Sequence, residues 1–467
     1  MDLEAYMDAL EDLEGLDDES LMRALRLVLD PPVSIVYLGD SIRGGALLPQ
    51  PKLEYVEGEV VKRVLGEKGL EVFIALDLVV SLMPYSAKLY YTRVESVPLE
   101  EVRRLASDVR RRLEFLERLK SHSLMGEDEV KREVMLLAPS KRLVEAVKGR
   151  WDEWVWRRID RYGVEAPDAD RLVGEVLAIA DALRGEGVKA TILVDGESGY
   201  PSSVNEFNVV PLRIPASLAK LVYVRDQSVT WLENPIVGNM ALDFRRGEED
   251  VIIEAYHRLG FKPIFRVRWS ILNGNLVKAY MEGGNFFVVK TEAGVAILTG
   301  VGVRGSNYAT FKSLAGILPE DVRLIGVPLA GYVRDWASGA VHLDVVFSYI
   351  GSVGGERLAL VDPSRMGFYA LLEYDRRRES FKLVELPMLA REMGFKVDEP
   401  PREGQSPITM VNALNLGRGK IISDASNELV NRYLEMVYGV DVIRVDIPQL
   451  EAGGGGVRCA TRELWRS

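Results

Sequence analysis

The rhythm of apolar and polar positions changes near residue 130. Before it, residues 1 to about 30 alternate Leu with Glu and Asp at helical spacing and stop at Pro31-Pro32, which predicts one or two amphipathic helices. Two apolar runs come next, Val33–Leu38 and Leu70–Leu76 with its continuation to Met83. Their β-branched and aromatic content reads as strand. From Leu99 to Lys120 the apolar residues return to helical spacing among many Arg and Glu. The cluster Arg110-Arg111-Arg112 lies on that helix and reads as a solvated face laced with Glu. Ser121 to Glu129 is polar and linker-like. Residues 1–128 are therefore expected to form a small α+β domain.

After the linker, short apolar runs alternate with helical patterns. The strand Val134–Ala138, a helix from Ala169 to Gly185 and the strand Val188–Val194 open the series. Strands at 220–224, 263–267, 286–290, 296–299, 323–327, 341–349, 357–361, 419–422 and 442–445 continue it, with helices at 248–259 and 426–437. This is the signature of an α/β domain, assigned to residues 129–467, and no strict sequence repeat is visible in it.

Bulk composition narrows the function. The chain has 467 residues with 47% hydrophobic and 28% charged, enough to bury a large core. A net charge of −11 argues against a nucleic-acid or membrane-surface partner, both of which want basic patches. A single cysteine excludes an intrachain disulfide framework and a cysteine-rich zinc site. The N-terminus is acidic without an apolar core, and no apolar run reaches the ~20 residues that span a bilayer, so a cytoplasmic location is expected.

That single cysteine, Cys459, comes after Gly453-Gly454-Gly455-Gly456-Val457-Arg458. Four glycines let backbone approach a small ligand closely, and the neighbouring Arg458 is expected to favour thiolate over thiol. A lone cysteine behind a glycine run is a candidate nucleophile in search of an acid/base partner. Only three histidines are available, His122, His257 and His342. His122 lies in the linker and His257 on a helix beside Arg258, so both read as surface residues. His342 stands in Val341-His342-Leu343-Asp344, where a strand would turn His342 and Asp344 to one face. A histidine and a carboxylate on one face can combine proton transfer with substrate orientation. Two further polar motifs lie at the ends of apolar runs: Val224-Arg225-Asp226-Gln227 and Met281-Glu282-Gly283-Gly284-Asn285.

Taken in order, these four motifs resemble the guanidine-modifying enzymes of the pentein fold, above all arginine deiminases. Those enzymes carry an Arg-Asp-Pro segment, a Glu-Gly-Gly-Asp turn, a His-Leu-Asp strand and a C-terminal Gly-Gly-x-Arg-Cys loop in the same sequence order. Asn412-Ala-Leu-Asn-Leu-Gly-Arg-Gly-Lys, Asn427-Glu-Leu-Val-Asn431 and the helix ending at Ala182-Leu-Arg-Gly extend the resemblance from about residue 130 to the end. The chain departs from the family pattern at Gln227 in place of proline and at Asn285 in place of aspartate. The stretch Asp195–Lys220 is also too short for the helical insertion of bacterial arginine deiminases. Residues 1–128 resemble nothing in that family.

The resemblance implies a pentein, an α/β propeller of ββαβ-type units around a pseudo-symmetry axis, preceded here by the extra α+β domain. It implies Cys459 as nucleophile, His342 as acid and base, and Glu282 either gripping the cation or orienting His342. Asp226 and Asp344 would hold the guanidinium. Arg304, with Arg245 or Arg246, would bind the α-carboxylate of an amino-acid substrate. The implied reaction is hydrolysis of arginine to citrulline and ammonia through a covalent thiouronium, with no cofactor and no metal. The same residues would serve an amidinotransferase that passes the amidino group to an amine, or a dihydrolase that releases ornithine. A non-catalytic pentein binding protein would have no use for the set. The N-terminal region is a candidate for regulation or for assembly of a homo-oligomer.

Overall fold

The computed structural model describes residues 1–36, 40–43, 46–49, 53–83, 99–119, 124–148, 168–216, 218–231, 235–241, 245–261, 265–302, 305–329, 340–366 and 370–465. Within them one motif occurs five times: an antiparallel strand pair, then a helix, then a strand parallel to the second of the pair. Ser228–Val229, Ile236–Val237, the helix Glu248–Arg258 and Phe265–Arg266 form one such unit. Phe286–Thr291, Gly294–Val301, Tyr308–Ile317 and Arg323–Pro328 form the next. Phe347–Val353, Glu356–Val361, Leu386–Met393 and Lys396–Asp398 come third, interrupted by a hairpin, Ala370–Asp375 with Ser380–Glu385, that joins the preceding sheet. Leu414–Gly417, Lys420–Asp424, Glu428–Tyr433 and Asp441–Val445 make another.

The remaining unit joins the two ends of this region. Arg462–Leu464 pairs antiparallel with Glu133–Ala138, which runs parallel to Lys189–Asp195 after the helix Ala169–Gly185. That pairing carries the C-terminal segment, and Cys459 with it, back against the first strand of the α/β region. Among the described residues the strands form separate sheets of two to five strands.

The helix Ala169–Gly185 starts where the Asp168 side chain accepts from the Arg171 N–H, as N-capping requires. The helix Glu248–Arg258 starts at Gly247, whose φ of 99° a side chain would strain. Among the described residues no helix is long and apolar enough to cross a membrane.

Several sequence expectations are corrected. Leu70–Met83 is not a strand: Gly69–Ser81 is a helix buried on nearly every side, so its apolar residues show no period. Residues 220–224 are a 3-10 turn, Ala219–Val222, rather than a strand. The strand expected from Val341 begins only at Phe347, because Leu343–Val345 is a 3-10 turn. His257 is part-buried, and its Nε2 lies 3.0 Å from the Leu82 carbonyl at the end of that buried helix.

The segment before residue 128 shares a core with the α/β region. Leu10, Leu25, Phe73 and Val109 pack in one apolar cluster with Trp231, Phe265, Trp269 and Phe286. The strand Leu53–Val56 pairs with Asn275–Lys278, making one sheet from both regions. The linker-like stretch is also built in: Met125 N–H donates to the Trp231 carbonyl and Glu127 N–H to that of Val288, both at 2.9 Å.

Candidate active site

Four segments distant in sequence meet at one buried place. Asp226 sits in the turn before Ser228–Val229, and its carbonyl accepts from Gly283 N–H at 2.6 Å. Glu282 precedes the 3-10 turn Gly283–Asn285. His342 has extended backbone and leads into Leu343–Val345, which carries Asp344. Cys459 comes after the short helix Pro448–Gly453 and the glycine run. All five side chains are buried, at 0–5% exposure, which places their charges out of bulk water.

His342 Nε2 lies 2.6 Å from Glu282 Oε2, and its Nδ1 3.4 Å from Asp226 Oδ1. The other Glu282 oxygen accepts from the Ala241 N–H at 2.9 Å, which fixes the carboxylate. Cys459 Sγ lies 3.5 Å from Asp344 Oδ2, so the thiol points at a carboxylate. A Cβ on Gly284 would fall 2.8 Å from both Asp226 Oδ1 and His342 Nδ1 and 3.2 Å from Asp344 Oδ2. Glycine is therefore required there by the close convergence of these three groups.

Asn412 is the residue to which sequence reasoning assigns no role. Its Nδ2 donates to Cys459 Sγ at 3.1 Å and to the Asp344 carbonyl at 2.9 Å, while its Oδ1 accepts from Cys459 N–H at 3.2 Å. It thus fixes the thiol relative to Asp344. The motif Asn412-Ala-Leu-Asn is the signal for it. Gly456 permits this approach, since a Cβ there would meet Asn412 Oδ1 at 2.7 Å. Gly455 likewise lies against Tyr223, where a Cβ would fall 2.5 Å from the ring.

Arg458 does not activate the thiol as its sequence position suggests. Its guanidinium turns away to Glu127 (2.9 Å), the Phe286 carbonyl (2.7 Å) and Asp344 Oδ2 (3.1 Å), stacked over the Phe287 ring. Burial pushes the Cys459 thiol well above its ordinary pKa, and the charges of Asp344 and Asp226 push it further. The hydrogen bonds from Asn412 and the backbone only partly oppose this. The Asp344 carboxyl is itself raised, by burial first and by Asp226, against the pull of Arg458 and His342.

The two departures from the family pattern have visible uses. Gln227 Nε2 donates to Glu248 at 2.7 Å, bracing the carboxylate that grips Arg245. Asn285 Oδ1 accepts from the Leu343 N–H at 3.1 Å, joining the Glu282 turn to the His342 turn. Arg225, the neighbour of Asp226 in its motif, braces the cysteine loop. Its Nε donates to the Arg458 carbonyl at 3.1 Å and its N–H to that of Cys459 at 3.2 Å.

The residues expected at a substrate carboxylate are placed differently. Arg245 is buried between Asp226 (2.5 Å) and Glu248 (2.6 Å), so it stands behind Asp226. Arg246 pairs with Glu54 of the N-terminal region at 2.5 Å. A ligand carboxylate at either would have to displace a protein carboxylate. Arg304 lies outside the described residues, as does His122. The donor atoms of Asp226, Glu282 and His342 all lie within 4.8 Å of one another, close enough to share one small cation.

The charges that raise the thiol most are two carboxylates, Asp344 and Asp226. Arg245 is shared between Asp226 and Glu248, and Arg458 between Glu127 and Asp344. The buried Arg225, Arg462 and Lys131 act in turn on Glu463, and Arg225 also on Asp344.

The arginine deiminase family model matches residues 405–466, the segment that carries Asn412, Arg458 and Cys459. Over that segment the chain is arginine deiminase-like. The uncharacterized protein YkgA of Bacillus subtilis (strain 168) is 26% identical over 274 residues, 58% of this chain and 80% of its own. Among solved structures, DDAH from Pseudomonas aeruginosa in complex with citrulline aligns at TM-score 0.46 and 17% identity, over 72% of this chain and 100% of that one. The N-terminal domain of ArgZ, an arginine dihydrolase from cyanobacteria, aligns at TM-score 0.47 and 13% identity, over 72% and 98%. AgrE with ornithine and NAD+ aligns at 0.48 and 15%, over 72% and 39%.

Proposed function

We propose that this chain is a cysteine-dependent hydrolase of a guanidinium group, with arginine as substrate and citrulline and ammonia as products. The observation that carries this reading is the buried Cys459 thiol facing Asp344, with Asp226, Glu282 and His342 converging beside it. A guanidinium is a planar cation that carboxylates bind through paired, charge-assisted hydrogen bonds. On this reading Asp226 and Asp344 hold it with its central carbon toward Cys459, and the five ββαβ units form a pentein around that place.

The cation also answers the problem of the thiol. The carboxylates that raise the thiol are neutralised when a guanidinium sits among them. The thiol can then give up its proton, which His342 takes and passes on, as the electrophile arrives. Its sulfur forms a bond to the guanidinium carbon. His342, held by Glu282, gives a proton to one nitrogen, which leaves as ammonia when its C–N bond breaks. The remaining thiouronium stays on Cys459. A water then loses a proton to His342 and adds to the same carbon; the C–S bond breaks, the added hydroxyl's proton passes to the sulfur, and the ureido product and the thiol are released.

Incubation of the full chain with arginine, with and without lysine or glycine as amine acceptor, tests this by product mass. Citrulline and ammonia in equal amounts without an acceptor are expected. Product only with an amine would replace hydrolysis by amidino transfer, and ornithine with two ammonia molecules would replace it by a dihydrolase.

A further inference from the structure

Glu54 is a buried carboxylate from the N-terminal region with no part in the chemistry above. It lies on the strand Leu53–Val56, which pairs with Asn275–Lys278. Three donors from the α/β region converge on it. Arg246 Nη2 and the Tyr280 hydroxyl reach Oε1 at 2.5 and 2.7 Å, and Lys278 Nζ reaches Oε2 at 2.9 Å. Burial alone would raise this carboxyl, but the bonds from Tyr280 and Lys278 and the charges of Lys278 and Arg246 hold it at about 2.

Two of these partners stand next to the proposed machinery. Arg246 is the neighbour of Arg245, which grips Asp226. Tyr280 comes two residues before Glu282, which holds His342. One carboxylate thus ties together the two segments that set the spacing between a proposed cation-binding group and the proposed acid/base pair. An exposed ion pair would do this weakly, since solvent screens it and side-chain entropy opposes it. Here Glu54 is 3% exposed and its partner Lys278 is buried with it, while Arg246 is half-buried at the edge, so most of the cluster is shielded from water.

Resting on the hydrolase reading, we infer that Glu54 is a positioning residue, a clamp through which the N-terminal region holds Asp226 and Glu282 in register for a cationic substrate. The N-terminal region is then part of the catalytic unit, consistent with the core it shares with the α/β region.

The test uses the full chain and two small alkylating agents, the cation 2-chloroacetamidine and its neutral analogue 2-chloroacetamide. In both, thiolate sulfur displaces chloride, and Cys459 is the only thiol in the chain. Each rate is divided by that with free cysteine, so the ratio of the two reads cation recognition beside Cys459. Wild type should favour the amidine by about 10-fold or more, as small misplacements in a site cost up to about 100-fold. Glu54→Gln should remove most of that preference while changing the chloroacetamide rate less than about 2-fold, and Arg246→Gln should reproduce the effect. General loosening would move both reagents together. A wild type without the preference overturns the cation site and the clamp with it. A wild type with the preference, kept intact in Glu54→Gln, overturns the clamp alone. Should Glu54→Gln fail to fold, Arg246→Gln and Tyr280→Phe decide: loss of preference in either supports the clamp, and full preference in both overturns it.

Discussion

Cys459 Sγ and Asp344 Oδ2 lie 3.5 Å apart, both buried, with Asn412 bonded to the sulfur and to the Asp344 main chain. A thiolate and a carboxylate at that distance repel, which with burial favours the protonated sulfur. On the hydrolase reading, the carboxylate proposed to bind the cation is thus also the one that holds back the proposed nucleophile until a cation is present.

Replacing that carboxylate should separate the two effects. In Asp344→Asn the thiol loses the anionic neighbour that raises it most, so alkylation by iodoacetamide at pH 8 should speed up several-fold over wild type. Turnover of arginine should fall at the same time, because a charge-assisted hydrogen bond to the guanidinium, about 1.5–3 kcal/mol, is gone. Faster alkylation with undiminished turnover would remove Asp344 from substrate binding.

Asn412→Ala removes a donor from the sulfur and an acceptor from the Cys459 N–H. We expect kcat to fall by about 10- to 100-fold, equivalent to about 1.5–3 kcal/mol for a bond to a charged group, with KM little changed. Steady-state kinetics check this. A change confined to KM would make Asn412 a binding residue instead.

The fold also carries a pH dependence away from the sulfur. Glu175 accepts from Gln449 N–H at 2.7 Å and Leu450 N–H at 2.8 Å, holding the short helix that leads to the glycine run. Burial, with Asp446 and Asp424 nearby, raises its carboxyl to about 7, against the pull of those two N–H groups. A carboxyl raised on folding binds its proton more tightly in the native state. Its favourable contribution is present below the unfolded value near 4.5 and is lost as pH rises toward 7. Thermal melts between pH 5 and 8 should show wild type losing stability on the order of 1–3 kcal/mol through this window, and Glu175→Gln should flatten that slope. An unchanged slope in the variant would assign it to other groups.

Much of the site is legible in the sequence because each motif is short and local. Asp226, Glu282, His342 and Cys459 each sit in a string whose neighbours, mostly glycine or strand-forming residues, set the backbone nearby. The hidden part depends on contacts across hundreds of residues. The motif at Asn412 marks the residue but not its partner Cys459, and Glu127 reads as linker although its carboxylate meets Arg458. Arg245 reads as a substrate binder because its sequence gives no sign that Glu248 and Asp226 already flank it. His342 and Asp344 are expected on one strand face, but a 3-10 turn brings them together instead. The helix Gly69–Ser81 reads as strand because complete burial erases the period that distinguishes the two. The five repeated units leave no sequence repeat, since each needs only an apolar strand pair and a covering helix. Any packing residues of suitable size satisfy that requirement.

The central claim is a covalent bond between the guanidinium carbon and Cys459. Acid-quenching the full chain during turnover of arginine, with mass analysis of the Cys459 peptide, tests it most directly. The expected result is a peptide heavier by one arginine less one ammonia, absent from Cys459→Ser, which should also lose all but a few per cent of turnover. Citrulline forming with the Cys459 peptide unmodified, and at undiminished rate in Cys459→Ser, would contradict the account.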